Sequence, residues 1–390
     1  MTLKLPIYLD NNATTPVDPK VIETMLPYFY ERFGNPSSKH SFGYIANSAV
    51  ELAREQIASL INSDKREIYF TSGATESINI VHFGVAEKNV YRGNHIISSN
   101  IEHSASYESL IQLQKRGFDI SFIKCDEKGL IYPEQVLQAI KPETILVSII
   151  AANNEIGTIN NLREIGNICK SNNILFHTDA TQAIGKFKFN VQEVNADFVS
   201  FSSHKIYGPK GVGGLFIRRG NENKISPILF GGGQEHGIRP GTLNTAGIVG
   251  FGKAAEICRL ELEKDYNQTK SLRDRLFKKL VSALDDVFLN GDKEQRLPGN
   301  LNLLIKGVRS DNLISNIRDI AFSSAATCSS DSAKPSRILK AIGLSDEDSK
   351  CCIRIGIGRF NTLEEIDYAA EKIIDEITKL RLRKNYQLTI

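Results

Sequence analysis

The 390-residue sequence contains no CxxC pair and no dense cysteine framework. Its six cysteines, Cys125, Cys169, Cys258, Cys328, Cys351 and Cys352, are scattered along a long chain, which argues against disulfide scaffolding and against a structural zinc site. No apolar run reaches membrane-spanning length, and Met1 to Asp10 lacks the basic and apolar regions of a secretory signal. A cytoplasmic protein with no membrane partner is therefore expected. Charge of one sign is not in excess either: 48 Lys plus Arg face 45 Asp plus Glu, for a net charge of +3, too little to point to nucleic acid or an anionic surface. Internal repeats and low-complexity linkers are also missing. In a reducing compartment a free cysteine is normally a small buried hydrophobe, and that is the expectation for every cysteine here except Cys328.

What is present is an alternation. From about Glu67 to Arg219, short β-branched runs (Ile68 to Phe70, His95 to Ile97, Ile145 to Ile150, Ile174 to Phe176, Phe198-Val199 and Leu215 to Ile217) alternate with helical patterns. This predicts a mostly parallel sheet covered by helices, with ligands beyond the carboxyl ends of its strands. After about Leu260 a charged amphipathic helix, Glu261 to Leu284, introduces a second, smaller α/β unit. Asn300 to Ile305 reads as a strand of that unit, and a helix from about Leu363 to Arg381 closes it. The segment Tyr8 to Pro16 is expected to pack on the smaller unit, making it discontinuous.

Three stretches carry chemistry. Phe70 to Ser77 leaves a strand, turns at Gly73 and enters a helix that continues toward Ala86, so that backbone N–H groups and the Ser72 and Thr75 hydroxyls form either a phosphate cradle or an ordinary helix cap. Asp179 follows the run Ile174 to Phe176, where a carboxylate can hold a protonated pyridine nitrogen or can simply shape a turn. Lys205 lies just past Phe198 to Ser203, beside His204 and ahead of a glycine-rich turn. There a lysine suits covalent attachment of a carbonyl cofactor, whereas an ordinary lysine is a solvated surface charge. Asp179 and Lys205 are separated by about one strand-helix-strand repeat, which makes the cofactor reading stronger for the pair than for either alone.

Ser202-Ser203-His204-Lys205, Asp179-Ala180-Thr181-Gln182 and Ser72 to Ser77 together resemble the signatures of class V aminotransferase-fold enzymes, and within that class the match is to cysteine desulfurases. The resemblance runs from Tyr8-Leu9-Asp10-Asn11-Asn12-Ala13-Thr14-Thr15-Pro16 to the region of Arg354. It implies the aspartate aminotransferase-like fold type I of pyridoxal-phosphate enzymes, in which a large α/β domain with a mostly parallel seven-stranded sheet is joined to a smaller α/β C-terminal domain. On this reading residues 16–260 form the large domain, and residues 1–15 and 261–390 form the small one, with a catalytic loop at about 322–334. The resemblance further implies that Lys205 carries pyridoxal 5′-phosphate and moves the Cα proton, that Asp179 holds the ring nitrogen, and that Gln182 bonds the phenolic oxygen. His103 would stack on the ring and assist proton transfer. Ala74, Thr75, Ser202 and His204, with Thr242 from the other subunit of a homodimer, would bind the phosphate. Asn154 would contact cofactor and substrate.

The reaction is chosen by a second group. Ala321 to Asp331 is small and polar, unlike the apolar run that houses a structural cysteine, so Cys328 reads as an exposed reactive thiol. It would take sulfur from L-cysteine as a persulfide, leaving L-alanine, while Arg354 grips the substrate carboxylate bidentately. The thiolate is the required nucleophile, so local cations or a proton acceptor such as His103 would have to lower the cost of ionising it. No intrinsic metal is expected; Cys328 is the candidate transient ligand of an iron-sulfur cluster. The sulfur would pass to an acceptor or scaffold protein, with iron-sulfur cluster assembly as the leading destination and tRNA or DNA thiolation as others. A selenocysteine lyase, a sulfide-releasing lyase and a non-catalytic carrier module are the competing readings. Two departures from the family pattern, Ser203 where Gly is common and Ala326-Thr327-Cys328-Ser329 where Ser-Ala-Cys-Thr is common, leave the reacting groups in place.

Overall fold

The computed structural model describes residues 3–325 and 336–387. The β-branched runs form a mostly parallel sheet of seven strands. Their spatial order is Ile68–Thr71, Gly213–Ile217, Phe198–Ser202, Leu175–Asp179, Thr144–Ser148, His95–Ser99 and Asp119–Ile123. Only Gly213–Ile217 opposes its neighbours; the remaining pairs are parallel. The inner strands are buried along their whole length, which is why they read as continuous apolar runs and not as alternating ones. Asp119–Ile123 escaped the sequence reading because it lies at the sheet edge, with an exposed first residue and half-buried Ser121 and Phe122.

The helices Ala74–Asn89, Ser104–Lys115, Pro133–Ala139 and Leu162–Ser171 make the crossovers between successive parallel strands. Because six strands run the same way, their carboxyl ends line one edge of the sheet. The antiparallel strand begins at that same edge, with Gly213 opposite both Thr71 and Ser202, and so brings Lys210 and Gly211 to it.

A second sheet has the order Ser323–Ser324, Cys352–Gly356, Asn300–Ile305, Val287–Leu289 and is antiparallel throughout. Its apolar face, including Leu301, Leu303, Ile353 and Ile355, packs with Ile366, Ile373 and Ile377 of the helix Leu363–Gln387. Between the two cores runs the helix Thr245–Ala283. It contributes Phe251, Ala254 and Cys258 to the first core and Leu272, Leu276 and Leu280 to the second. The helix starts at Thr245 and not at Glu261 because Ala246 to Gly252 is small, apolar and buried on every side, so no amphipathic period marks it.

The N-terminal segment stitches the two cores together. Ile7–Tyr8 pairs in parallel with Ile320–Ala321, and Asp10 bridges to Gly356. Both the N–H and the hydroxyl of Thr15 then donate to the His204 carbonyl, at 3.0 and 3.1 Å. Among the described residues no helix is long and apolar enough to cross a membrane.

Candidate active site

The carboxyl edge of the large sheet opens into a cavity of about 720 Å³. Its wall unites Ala74, Thr75, His103, Asn154, Asp179, Gln182, Ser202, His204, Lys205 and Arg354, residues from six separate stretches of sequence. Thr242 is exposed and is not part of this wall in the single chain. Cys328 and most of the anticipated loop at 322–334 lie outside the described residues.

Lys205 ends the short turn after the strand Phe198–Ser202, and its Nζ donates to the carbonyls of Asn12 at 2.8 Å and Ala13 at 2.6 Å. Asp179 is the last residue of its strand and 3% exposed. It accepts the Thr181 N–H at 3.0 Å. The amide of Gln182 is oriented on both sides: Nε2 donates to the Asn12 carbonyl at 2.9 Å, and Lys186 donates to Oε1. Burial, reinforced by the charges of Lys205 and Arg354, pushes Lys186 down to about 7.

The two histidines are tuned differently. His103 caps the helix Ser104–Lys115 by accepting the Ala105 N–H on Nδ1 at 3.1 Å, so a neutral ring carries its proton on Nε2. Burial lowers its pKa and the Asp179 carboxylate raises it, while Lys205 and Arg337 add to the lowering. In this geometry His103 is an Nε2–H donor, and it could accept a proton only by giving up the cap. His204 shares a hydrogen bond with the Thr14 hydroxyl at 3.0 Å. Burial first, then Lys205, Lys210 and Lys186, press its pKa down to about 4, so it is neutral near pH 7.

The N-terminus of the helix Ala74–Asn89 faces the same cavity, with first-turn N–H groups that the helix itself cannot satisfy. The donor set suits a phosphate-bearing, cationic heteroaromatic ligand: a helix N-terminus and the Ser202 hydroxyl for the phosphate, a buried carboxylate for the ring nitrogen, and an amine within the same wall. The Thr181 hydroxyl is buried with no hydrogen-bond partner among the described residues and lies in that wall, a polar atom left for a ligand to satisfy. Arg354 reaches the cavity from the second sheet, 2% exposed. Its Nη2 donates to Asp10 Oδ1 at 2.9 Å.

Sequence reasoning missed the contribution of the N-terminal segment. Asp10, Asn12, Ala13 and Thr14 all line the cavity, whereas the sequence predicts only that Tyr8 to Pro16 packs on the smaller unit. None of the other five cysteines lines the cavity. Burial raises Cys125 and Cys258 to about 11 and Cys352 to about 12, which leaves those thiols inert. Cys351 and Cys352 are not joined; Cys352 Sγ lies 3.3 Å from both Asn290 Nδ2 and the Asp348 carbonyl. No cluster of His, Cys, Asp and Glu suited to a metal ion occurs among the described residues.

Comparison with known proteins gives a consistent picture. The family described as Aminotransferase class-V matches residues 7–369. The chain is 49% identical over 380 residues to cysteine desulfurase IscS of Rickettsia typhi, covering 97% of this chain and 93% of that protein. Among solved structures, a NifS-like protein superposes with a TM-score of 0.89 at 38% identity, covering 96% of this chain and all of that one. SspA in complex with cysteine superposes with a TM-score of 0.81 at 34% identity, covering 91% of this chain and all of that one.

Proposed function

The chain belongs to the class-V aminotransferase family, and from that premise we propose that it is a pyridoxal-phosphate-dependent cysteine desulfurase converting L-cysteine to L-alanine with transfer of the sulfur to Cys328. The observation that carries this reading is the convergence of an amine, a buried carboxylate and a buried guanidinium, Lys205, Asp179 and Arg354, on one cavity. Relatives called cysteine desulfurase and a structural neighbour holding cysteine support it.

When bound, the cofactor supplies an electron sink conjugated to the substrate's Cα. The residues do the rest. Asp179 would hold the cofactor's ring nitrogen, and Gln182, oriented by Lys186, would offer Nε2–H to its ring oxygen. Lys205 would hold the cofactor through Nζ and is the amine placed to take a proton from the substrate's Cα. His103, with its proton on Nε2, would support the cofactor's ring and serve as a donor in the site. Cys328 thiolate attacks the substrate sulfur; an S–S bond forms, the Cβ–S bond breaks, and protonation at carbon gives alanine. Overall, L-cysteine and an enzyme thiol become L-alanine and an enzyme persulfide.

Arg354 fixes the substrate carboxylate. Replacing it with lysine should raise KM for L-cysteine roughly 30- to 100-fold, the loss of about 2 to 3 kcal/mol expected when a bidentate pair becomes a point charge. Steady-state kinetics check this, with kcat moving far less than KM.

The phosphate cradle is proposed to be completed by Thr242 of the partner subunit in a homodimer. Supporting this, the chain leaves large aromatics bare: Phe29 and Phe33 are 63% and 64% exposed, and Phe230 is 86% exposed, an apolar surface of the kind that interfaces cover. The sulfur would then pass to an acceptor or scaffold protein, for iron-sulfur cluster assembly. A cytoplasmic setting is proposed from the scattered cysteines, whose spacing offers no disulfide framework.

The test is to reconstitute the protein with pyridoxal phosphate and supply sulfur-labelled L-cysteine. A visible absorption band, alanine and label bound at Cys328 are expected. A colourless protein, or sulfide and pyruvate in place of alanine and persulfide, would overturn the proposal.

A further inference from the structure

We propose that Asp10 sets the affinity of the site for its substrate by competing with the substrate carboxylate for Arg354. The inference rests on the reading of Arg354 as the carboxylate-binding residue and extends it to a residue that the reaction itself does not need.

Asp10 is held in place through both its backbone, whose carbonyl accepts from the Ala13 N–H at 2.9 Å and the Tyr8 hydroxyl at 3.1 Å, and its side chain. Its backbone bridges to Gly356, two residues beyond Arg354 on the same strand. Its Oδ1 accepts from Arg354 Nη2 at 2.9 Å, and its Oδ2 accepts from the Ser323 hydroxyl at 2.7 Å. Asp10, Ser323 and Arg354 all line the cavity that holds Lys205. The Asp10 side chain is 17% exposed and that of Arg354 3%, so the pair is poorly screened.

An arriving amino-acid carboxylate therefore meets a guanidinium whose charge is already balanced. It must either share the planar fork, which can serve two acceptors at once, or displace Asp10 from it. In both cases the negative charge of Asp10 opposes the incoming carboxylate. Binding is weakened, and departure of the alanine product, which carries the same carboxylate, is helped.

Asp10→Asn isolates this effect because the amide keeps an oxygen for Arg354 while losing the charge. The holoenzyme is titrated with L-alanine and, separately, with cysteamine, which has the amine and thiol of the substrate but no carboxylate; the visible absorption of the cofactor reports occupancy. Relative to wild type, Asp10→Asn should lower the Kd for L-alanine about tenfold, which corresponds to ~1.4 kcal/mol. KM for L-cysteine should fall in parallel, and the Kd for cysteamine should change by less than about twofold. If Asp10 only oriented Arg354, the same substitution would raise the Kd for L-alanine or leave it unchanged, and either result overturns the proposal.

Ser323→Ala supplies an independent arm should Asp10→Asn fold poorly by thermal melting. Removing the hydroxyl that draws on Oδ2 leaves more of the Asp10 charge for Arg354, so the Kd for L-alanine should rise about two- to threefold; no rise, or a fall, counts against the proposal. A wild-type holoenzyme that binds cysteamine as tightly as L-cysteine would instead remove Arg354 as the carboxylate site, a failure of the functional reading itself.

Discussion

Replacing Lys205 with alanine lowers alanine formation from L-cysteine by on the order of 10⁴-fold, the upper range for loss of a positioned proton-transfer group. The expectation comes from geometry. Nζ is placed by two backbone carbonyls, Asn12 O at 2.8 Å and Ala13 O at 2.6 Å, and those carbonyls belong to a segment tied to His204 and Gly356 on opposite sides of the cavity. The amine is thus aimed at the cavity by the backbone of the N-terminal segment. Removing it leaves Asp179, Gln182 and the helix N-terminus of Ala74–Asn89 in position, so the variant should still bind pyridoxal phosphate noncovalently. Two measurements check this. Borohydride reduction should add the cofactor mass to Lys205 in wild type and to no residue in the variant, and a small primary amine such as methylamine should restore part of the lost rate. A variant that keeps more than about 1% of wild-type turnover without added amine would remove Lys205 from the role of base.

Cys328→Ser abolishes persulfide formation and lowers sulfur transfer at least about 10³-fold, because a serine hydroxyl is a far poorer nucleophile than a thiolate near neutral pH. Binding of cofactor and of L-cysteine should change by no more than about twofold, since neither depends on the thiol. No other cysteine can substitute within the described structure: Cys125, Cys169, Cys258, Cys351 and Cys352 all lie away from the cavity wall. Serine at any of those five positions should therefore leave transfer close to wild type. Labelled persulfide persisting in Cys328→Ser, located by peptide mass analysis, would assign the acceptor thiol to another residue.

His103 shows where the structure sharpened a sequence expectation. The sequence offered it both as a ring-stacking group and as a proton acceptor for Cys328. In the fold its Nδ1 is committed to the Ala105 N–H, so the neutral ring is a donor at Nε2. A helix cap of this kind is invisible in sequence, because a histidine before Ser104-Ala105-Ser106 looks the same whether its ring turns toward the helix or into solvent.

Sequence alone determined the class of the fold and the part of the cavity wall that follows the parallel strands. Parallel strands buried on both faces must be continuous apolar runs, and residues just past them must gather at one edge, so Asp179, Ser202, His204 and Lys205 could be placed together before any coordinates. The tertiary structure alone decided what surrounds them. The edge strand Asp119–Ile123 has a half-polar pattern that its own residues do not distinguish from a loop. The start of the long helix at Thr245 is hidden because burial on every face erases the amphipathic period. The pairing of Asp10 with Arg354, 344 positions apart in sequence, and the seating of Lys205 on Asn12 and Ala13 arise from long-range docking of the N-terminal segment between two cores. Local periodicity records which face of an element is buried, but it carries no information about which distant backbone carbonyl or carboxylate will be brought against it.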